Sequence, residues 1–469
     1  MKRGYTALSS VFAVAFLAMA SMLILRNGWL LVLGLSGLAA LLLHRYAIPR
    51  FTLWLFVGAF ALRLGCILVL QPPIQSDFLN LYNAAQGVLA GKPLQGTYYT
   101  LWAYQSAYVA WEALWLSIWN SPYAIRLVHA FLSAGTVCLL YRMVLPYVRP
   151  LSARFGGVML AVYPFGALLP TILTNQIPAA FFLVLGLWLL ICPDAGRLGF
   201  WRYPLAGLAL QMGNLLRPEG VIVLVAVLAW LVFSLIRTPK QWKTLATGVA
   251  VLLAVYFLLG YGVDWLVRAT GLNPHGLDNL FPEWKFICGL NPDTSGQYSS
   301  ADWELIGPTL DANRMPTAET RQLAQELIAQ RLHRPLGKLW KLNINKLDAL
   351  WGQDGMGMFF GHLLTGSTTF GRLQAYTVLR QVDRAMFFLS LGLAALGLWK
   401  KCREPGAWCV ILYFLPHSAH LSPLKFSPGM LTCPSCSCLP PPPLVWTGLR
   451  IGERRFCHAC NLIPGHPLL

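Results

Sequence analysis

The chain has 469 residues, of which 56% are hydrophobic and only 12% are charged, about half the charged share of an ordinary soluble domain. Apolar runs close to the roughly 20 residues that span a bilayer core recur along nearly its whole length. This composition excludes the soluble protein classes and predicts an all-α polytopic membrane protein. In a soluble protein the net charge of +18 would indicate a nucleic-acid partner. In a membrane protein it can instead reflect basic residues gathered on one side of the membrane.

Hydropathy predicts eleven membrane spans, and Lys2 and Arg3 precede the first of them. That first span also has the pattern of a secretory signal peptide, but we favour an uncleaved helix. The predicted spans lie near residues 8–25, 29–44, 51–70, 122–142, 155–172, 176–192, 204–217, 219–236, 244–262, 383–400 and 407–421.

The spans divide the chain into six units, and two of these are outer loops with segments patterned as amphipathic helices. Residues 1–70 carry three spans, 71–121 form the first outer loop, 122–262 carry six spans, 263–382 form the large outer loop, 383–421 carry two spans and 422–469 form an aberrant tail.

The distribution of positive charge favours a cytoplasmic N-terminus. In that orientation the N-terminus and the inner short loops hold fifteen Lys and Arg residues, whereas the outer connections hold little beyond Arg26, Lys92 and Arg217. Most of the positive charge therefore serves to orient the chain in the membrane. Anionic membrane lipids, and not nucleic acid, are the expected partner.

A row of basic residues follows residue 317 in the large outer loop. It is either a solvated helix face or a basic surface against lipid phosphates. The row comprises Arg321, Arg331, Arg334, Lys338, Lys341 and Lys346.

The first outer loop places a carboxylate at the mouth of the membrane domain. Two prolines end the span at residue 70, and Ser76 has the character of a helix N-cap. Apolar residues then recur at helical spacing up to Gly91, which predicts an amphipathic interfacial helix with Asp77 in its first turn. Asp77 either only caps this helix or belongs to a functional site. A functional role is favoured because Asp77 and Glu112 are the only acidic residues among the first 190.

Aromatic residues are concentrated directly after this helix. Such a stripe is typical of an interfacial belt and is equally compatible with a platform for a sugar. The residues are Tyr98, Tyr99, Trp102, Tyr104, Tyr108, Trp111, Trp115 and Trp119.

These residues carry a resemblance to a known family. Ser76-Asp77-Phe78, followed by Tyr82, resembles the first outer loop of GT-C membrane glycosyltransferases, in particular bacterial members of the protein-mannosyltransferase and aminoarabinose-transferase type. Three further stretches resemble the same enzymes, and the resemblance covers about residues 50–415. They are P-Y-A-I-R-L-V-H-A at 122–130, L-R-P-E-G at 216–220 and G-L-N-P-D-T-S-G at 289–296.

The resemblance implies transfer of a sugar from a polyprenyl-phosphate donor to an acceptor hydroxyl at the outer membrane face. Asp77 would be the general base, and Arg217 and Arg63 would bind the donor phosphate. Two alternatives stay open: Arg63 snorkels toward headgroups, and Arg217 pairs structurally with Glu219. The remaining candidates for substrate contact are Tyr82, Trp102, Tyr104, Glu219, Asn291 and Asp293, of which the last two are also common turn residues.

Two features depart from the family pattern. Many relatives carry an acid in the outer turn where this chain has Thr174-Asn175-Gln176, and no second carboxylate adjoins Asp77. No metal ligand is therefore assigned, and dependence on a divalent metal is left open. The alternative function, a transporter or lipid flippase, would place ionisable groups or broken helices at the midplane.

The tail contains Cys433-x-x-Cys436 and Cys457-x-x-Cys460, a spacing typical of a zinc ribbon. We favour a frameshift instead. Reading the codons one base earlier turns 433–443 into an almost wholly apolar run. The same frame makes 425–432 compatible with E-V-Q-P-R-Y-A-Y, which resembles the motif before the last span of GT-C relatives. The shift would lie between about Leu412 and Lys425, and it would impair the encoded enzyme.

Overall fold

The computed structural model describes residues 12, 14, 29–46, 48–237, 242–348 and 370–401, and all regular elements in these ranges are helices. Their β structure is limited to isolated bridges, Trp102 with Asn279 and Leu310 with Pro316. The predicted all-α fold is confirmed. Most of the first predicted span, the span at 407–421 and the Pro- and Cys-rich tail lie outside the described residues.

The helices, numbered in chain order within the described ranges, are joined by short loops and 3₁₀ turns. They are α1 Trp29–Arg45, α2 Phe51–Leu70, α3 Ser76–Leu89, α4 Thr97–Leu101, α5 Ser106–Ile118, α6 Pro122–Val144, α7 Pro150–Val162, α8 Pro164–Leu168, α9 Gln176–Ile191, α10 Arg202–Leu216, α11 Gly220–Arg237, α12 Trp242–Ala269, α13 Glu283–Gly289, α14 Ser300–Ile306, α15 Ala318–Leu332, α16 Leu336–Leu347 and α17 Phe370–Lys401.

Several helices are long and apolar enough to cross a membrane. Three described helices, α2, α6 and α12, pass this test alone, and up to five spans result if each of two bent pairs counts as one. One pair, Pro150–Val162 with Pro164–Thr171, bends by 55°, because Pro164 lacks the N–H that would continue the helix. A multi-pass membrane protein is thus confirmed, while the number of eleven spans stays a prediction.

Glycines let α9, α10 and α12 pack closely, as is common where lipid supplies no hydrophobic driving force between helices. A Cβ at Gly186 would lie 2.7 Å from Cγ of Leu210. A Cβ at Gly207 would overlap the backbone carbonyl of Leu252, which cannot move as a side chain can. The interface is completed by a buried apolar cluster that includes Leu183, Tyr203, Leu210, Leu224, Leu252 and Tyr256.

We expect Gly207→Ala to lower the thermal unfolding midpoint of the detergent-purified protein, because overpacking of this kind destabilises by about 1–3 kcal/mol. Gly65→Ala in α2 is the matched control, since a Cβ there meets no atom within 4 Å. Equal unfolding midpoints for the two variants would contradict the close α10–α12 contact.

Candidate functional site

Asp77 lies in the first turn of α3, where its exposed carboxylate faces the positive end of the helix dipole. The N-cap, however, is Gln75, whose backbone is extended at φ −142° and ψ 167°. Ser76 has φ 55°, a left-handed conformation that an N-cap residue does not adopt. The predicted Ser76 cap is therefore wrong by one residue. The helix ends at Leu89, just before Gly91 with φ 73°.

The two segments predicted as outer loops, the first at 71–121 and the second at 263–382, are joined directly beside the aromatic stripe. Asn273, only 1% exposed, donates from its amide to the carbonyl oxygen of Tyr99 at 2.9 Å and to Ser106 Oγ at 3.0 Å. The backbone N–H of Leu280 donates to the carbonyl oxygen of Leu101 at 3.0 Å. Residues 97–106 are therefore held in place by the segment that follows α12.

This junction forms an aromatic wall with one cation on it. The ring centroids of Tyr98 and Trp102 are 5.5 Å apart, and those of Trp102 and Trp303 are 6.2 Å apart. Lys285 Nζ lies 5.3 Å from the ring centroid of Tyr104. The sequence indicated the first-loop aromatics but gave no signal for Lys285 or Trp303, which come from the second loop.

The charges around Tyr104 show which groups share this region. Burial raises the pKa of Tyr104 to about 12, the Arg217 charge opposes the rise, and Glu219 and Asp77 add to it. Burial, and then the charge of Asp77, also raise the pKa of Tyr98. The Tyr104 hydroxyl thus lies within electrostatic range of Asp77, Arg217 and Glu219.

Arg217 lies in the turn between α10 and α11 and is oriented by two partners. Its Nη2 lies 2.8 Å from Glu219 Oε1, and Nη1 donates to Asn175 Oδ1 at 3.3 Å. Asn175 in turn donates to the carbonyl oxygen of Leu216 at 3.1 Å. The predicted pair of Arg217 with Glu219 is present. Asn175, in the turn where relatives carry an acid, contacts the same guanidinium.

Arg63 lies inside the helix bundle and is 1% exposed. Its Nε donates to Ser133 Oγ at 2.8 Å, and Nη1 donates to the carbonyl oxygens of Ala59 at 2.9 Å and Ala161 at 3.2 Å. Neither an outward-facing position nor a snorkelling one is observed, because so little of the side chain reaches the surface.

Tyr82 lies one and a half turns after Asp77 on α3. Gln86 donates to the Tyr82 hydroxyl at 3.1 Å and to Asn120 Oδ1 at 2.6 Å. The phenol is therefore positioned by its own helix and by the end of the first outer loop.

Asn291 and Asp293 lie in a turn of the second loop. Asn291 is buried, donates to Asp302 Oδ2 at 2.9 Å, and accepts from the backbone N–H of Asp293 at 2.9 Å. Asp302 is paired with Arg331 at 2.7 Å. Asn291 thus holds the turn together, while the Asp293 side chain is exposed on an open surface depression of about 440 Å³ beside Tyr298.

In the described ranges, no group of three or more His, Cys, Asp or Glu side chains is close enough to hold a metal ion. The cysteines at 433, 436, 457 and 460 lie outside those ranges.

A comparison with protein families assigns part of this region. Residues 106–259, a third of the chain, match the family of dolichyl-phosphate-mannose-protein mannosyltransferases. The resemblance to GT-C glycosyltransferases is confirmed. The matching segment runs from α5 to α12 and includes the Arg217 turn. No curated protein matches the sequence significantly.

Two solved structures are similar to the chain at 12% sequence identity each. One is the archaeal oligosaccharyltransferase AglB from Archaeoglobus fulgidus in complex with an inhibitory peptide and a dolichol-phosphate. It aligns with 88% of this chain at a TM-score of 0.47, and the chain spans about half of its length, 54%. The other is ArnT from Cupriavidus metallidurans bound to undecaprenyl phosphate, with 80% of this chain and 77% of that one aligned at a TM-score of 0.37.

Glu112 lies within the segment that matches the mannosyltransferase family. It is a buried acid to which the sequence alone gave no role. It is 0% exposed, and neither carboxyl oxygen has a well-formed hydrogen bond within the described part of the chain. Burial raises the pKa of Glu112 to about 8, and the Tyr108 hydroxyl offsets this only in part. The group is therefore a neutral acid at pH 7.

We expect the stability of the protein to fall as pH rises from about 4.5 toward 8, because folded Glu112 keeps a proton that the unfolded chain releases near 4.5. Glu112→Gln removes this loss, so its unfolding midpoint should rise relative to the parent between pH 5 and pH 9. The exposed Glu304→Gln is the control and should run parallel to the parent. A difference between the parent and Glu112→Gln that is independent of pH would contradict the buried neutral acid.

Proposed function

We propose that the chain is a membrane glycosyltransferase that moves a sugar from a polyprenyl-phosphate donor to an acceptor hydroxyl at the outer face, with its N-terminus in the cytoplasm. The observation that carries this is the cluster of Asp77, Tyr104, Arg217 and Glu219 at the junction of the two outer loops. It combines an exposed carboxylate, a cation and aromatic rings, which are the groups that glycosyl transfer from a lipid phosphate requires.

In this mechanism Asp77 takes the proton of the acceptor hydroxyl as that oxygen attacks the anomeric carbon. The bond between this carbon and the phosphate oxygen breaks, and the lipid phosphate leaves with the electron pair. A phosphate is already a good leaving group, so cationic stabilisation matters more than a strong acid. Arg217, oriented by Glu219 and Asn175, supplies that stabilisation, and Lys285 lies on the neighbouring Tyr104 ring.

The sugar would lie against the aromatic wall. Trp102 and Tyr104 offer apolar ring faces, and the hydroxyl of Tyr82 lies further along α3 from Asp77. Asn291 acts through the turn that it holds, and Asp293 is the exposed member of that turn. Arg63 acts by holding α2 against α6 and α7, since its donors bind Ser133 and backbone carbonyls.

We expect Asp77→Asn to lower the rate of sugar transfer at least about 100-fold while shifting the unfolding midpoint no more than Glu319→Gln does, because it removes a general base from an exposed position. The assay supplies polyprenyl-phosphate sugars to membranes that contain the frame-corrected protein, with or without the substitution, and follows their consumption. Glu319→Gln is the control, since Glu319 is also an exposed carboxylate in the first turn of a helix, α15. Full activity of the Asp77→Asn variant would remove this carboxylate from the mechanism.

A transporter or lipid flippase remains the second candidate, and the bent pairs and the buried Arg63 are the features on its side. Arg63 is bound to Ser133 and backbone carbonyls, however, which is a structural role. Movement of the lipid across the membrane without consumption of its sugar would favour the transporter.

We further propose that the reading frame is shifted between about Leu412 and Lys425, so that activity requires the corrected chain. We expect resequencing of the locus to find the shift, and the corrected chain to transfer sugar while the encoded one does not. A verified frame through Cys433–Cys460 together with bound zinc would overturn the shift and leave the role of Asp77 to its own test.

A further inference from the structure

Helix α16, outside the predicted spans, leaves an apolar stripe uncovered. Leu336, Trp340, Ile344 and Leu347 are 84%, 68%, 44% and 41% exposed. Their spacing of four, four and three residues places all of them on one face of the helix. An apolar stripe at regular helical spacing is a surface that some partner covers.

The orientation of α16 on its own loop is fixed from another face. Leu342 and Lys346 are buried, and Lys346 Nζ donates to the carbonyl oxygen of Gly289 at 2.8 Å. Gly296 packs so closely on the Lys346 side chain that a Cβ there would overlap it. The helix is therefore held by these contacts, and its apolar stripe is not free to rotate inward.

Positive charge flanks the stripe. Lys341 is exposed beside the apolar face in the helical projection, whereas Lys338 is exposed on the opposite side of the helix, close to Asn345. Of the other predicted basic residues, Lys346 is buried, Arg331 is paired with Asp302 and Arg321 is paired with Glu283. The basic row predicted from the sequence thus contains residues that support the fold as well as the exposed lysines of α16.

We propose that α16 lies in the interface of the outer leaflet, with its apolar stripe among the acyl chains and with Lys341 against anionic lipid phosphates. An apolar face, a tryptophan and a flanking lysine are features that interfacial helices use. A bilayer fits better than a second protein, because four side chains of one short helix fall well short of the roughly 1,000 Å² that a specific protein interface buries. This docking does not depend on the chemistry of Asp77.

The test uses the full chain reconstituted in vesicles of phosphatidylcholine with phosphatidylglycerol that carries a clickable acyl chain. A benzophenone amino acid replaces Trp340 in one variant and Asn345 in the other, since Asn345 is exposed on a different face of the same helix. We expect lipid adducts several-fold more abundant from position 340. Equal yields from the two positions, or a protein adduct in place of the lipid at 340, would overturn the proposal.

A second variant separates charge from apolar burial. Lys341→Gln should reduce the adduct at position 340 at least about twofold in vesicles with phosphatidylglycerol, and leave it unchanged in vesicles of phosphatidylcholine alone, in which the phosphatidylcholine carries the clickable chain. Lys338→Gln, on the opposite side of the helix, is the control, and both lysines are exposed, so the helix itself should remain folded. The same adduct yield from the two variants in anionic vesicles would overturn the part assigned to the phosphates.

Discussion

The arrangement of the site depends on one buried amide. The Asn273 side-chain nitrogen donates from the second of the two joined loops to Tyr99 and Ser106 of the first, and the side-chain oxygen accepts from the backbone N–H of His275 at 3.0 Å. Leaving such a group unsatisfied costs about 1–3 kcal/mol, so this amide stabilises the joined arrangement of the two loops. The joined loops place Tyr104 of the first beside Lys285 of the second.

Local elements were predictable because local residues specify them. The bounds of α2, Phe51–Leu70, coincide with those from hydropathy, and α3 carries Asp77 in its first turn and ends just before Gly91. Lys285 and Asn273 were not predictable, since nothing in their neighbouring sequence identifies the contact. Asn273 and Tyr99 are 174 residues apart. Nor does the sequence reveal the left-handed backbone of Ser76, which displaced its predicted cap.

The two interpretations of Arg217 are compatible. Sequence reasoning set a structural pair with Glu219 against phosphate binding, and the pair is present at 2.8 Å. A guanidinium recognises phosphate through a planar fork, so a carboxylate that fixes the plane also fixes the direction in which the fork points. Asn175 makes a second contact with the Arg217 guanidinium. In the turn where relatives carry an acid, this amide thus helps to orient Arg217.

Three carboxyl groups near the outer junction have surroundings that suit them to different tasks. Glu112 is buried and its pKa is raised to about 8, so at neutral pH it holds a proton and cannot accept another. Glu219 is engaged by Arg217, which makes it an orienting group. Asp77 is exposed in the first turn of α3. Of the three, Asp77 alone has the exposure that the proposed general base needs to reach an acceptor hydroxyl.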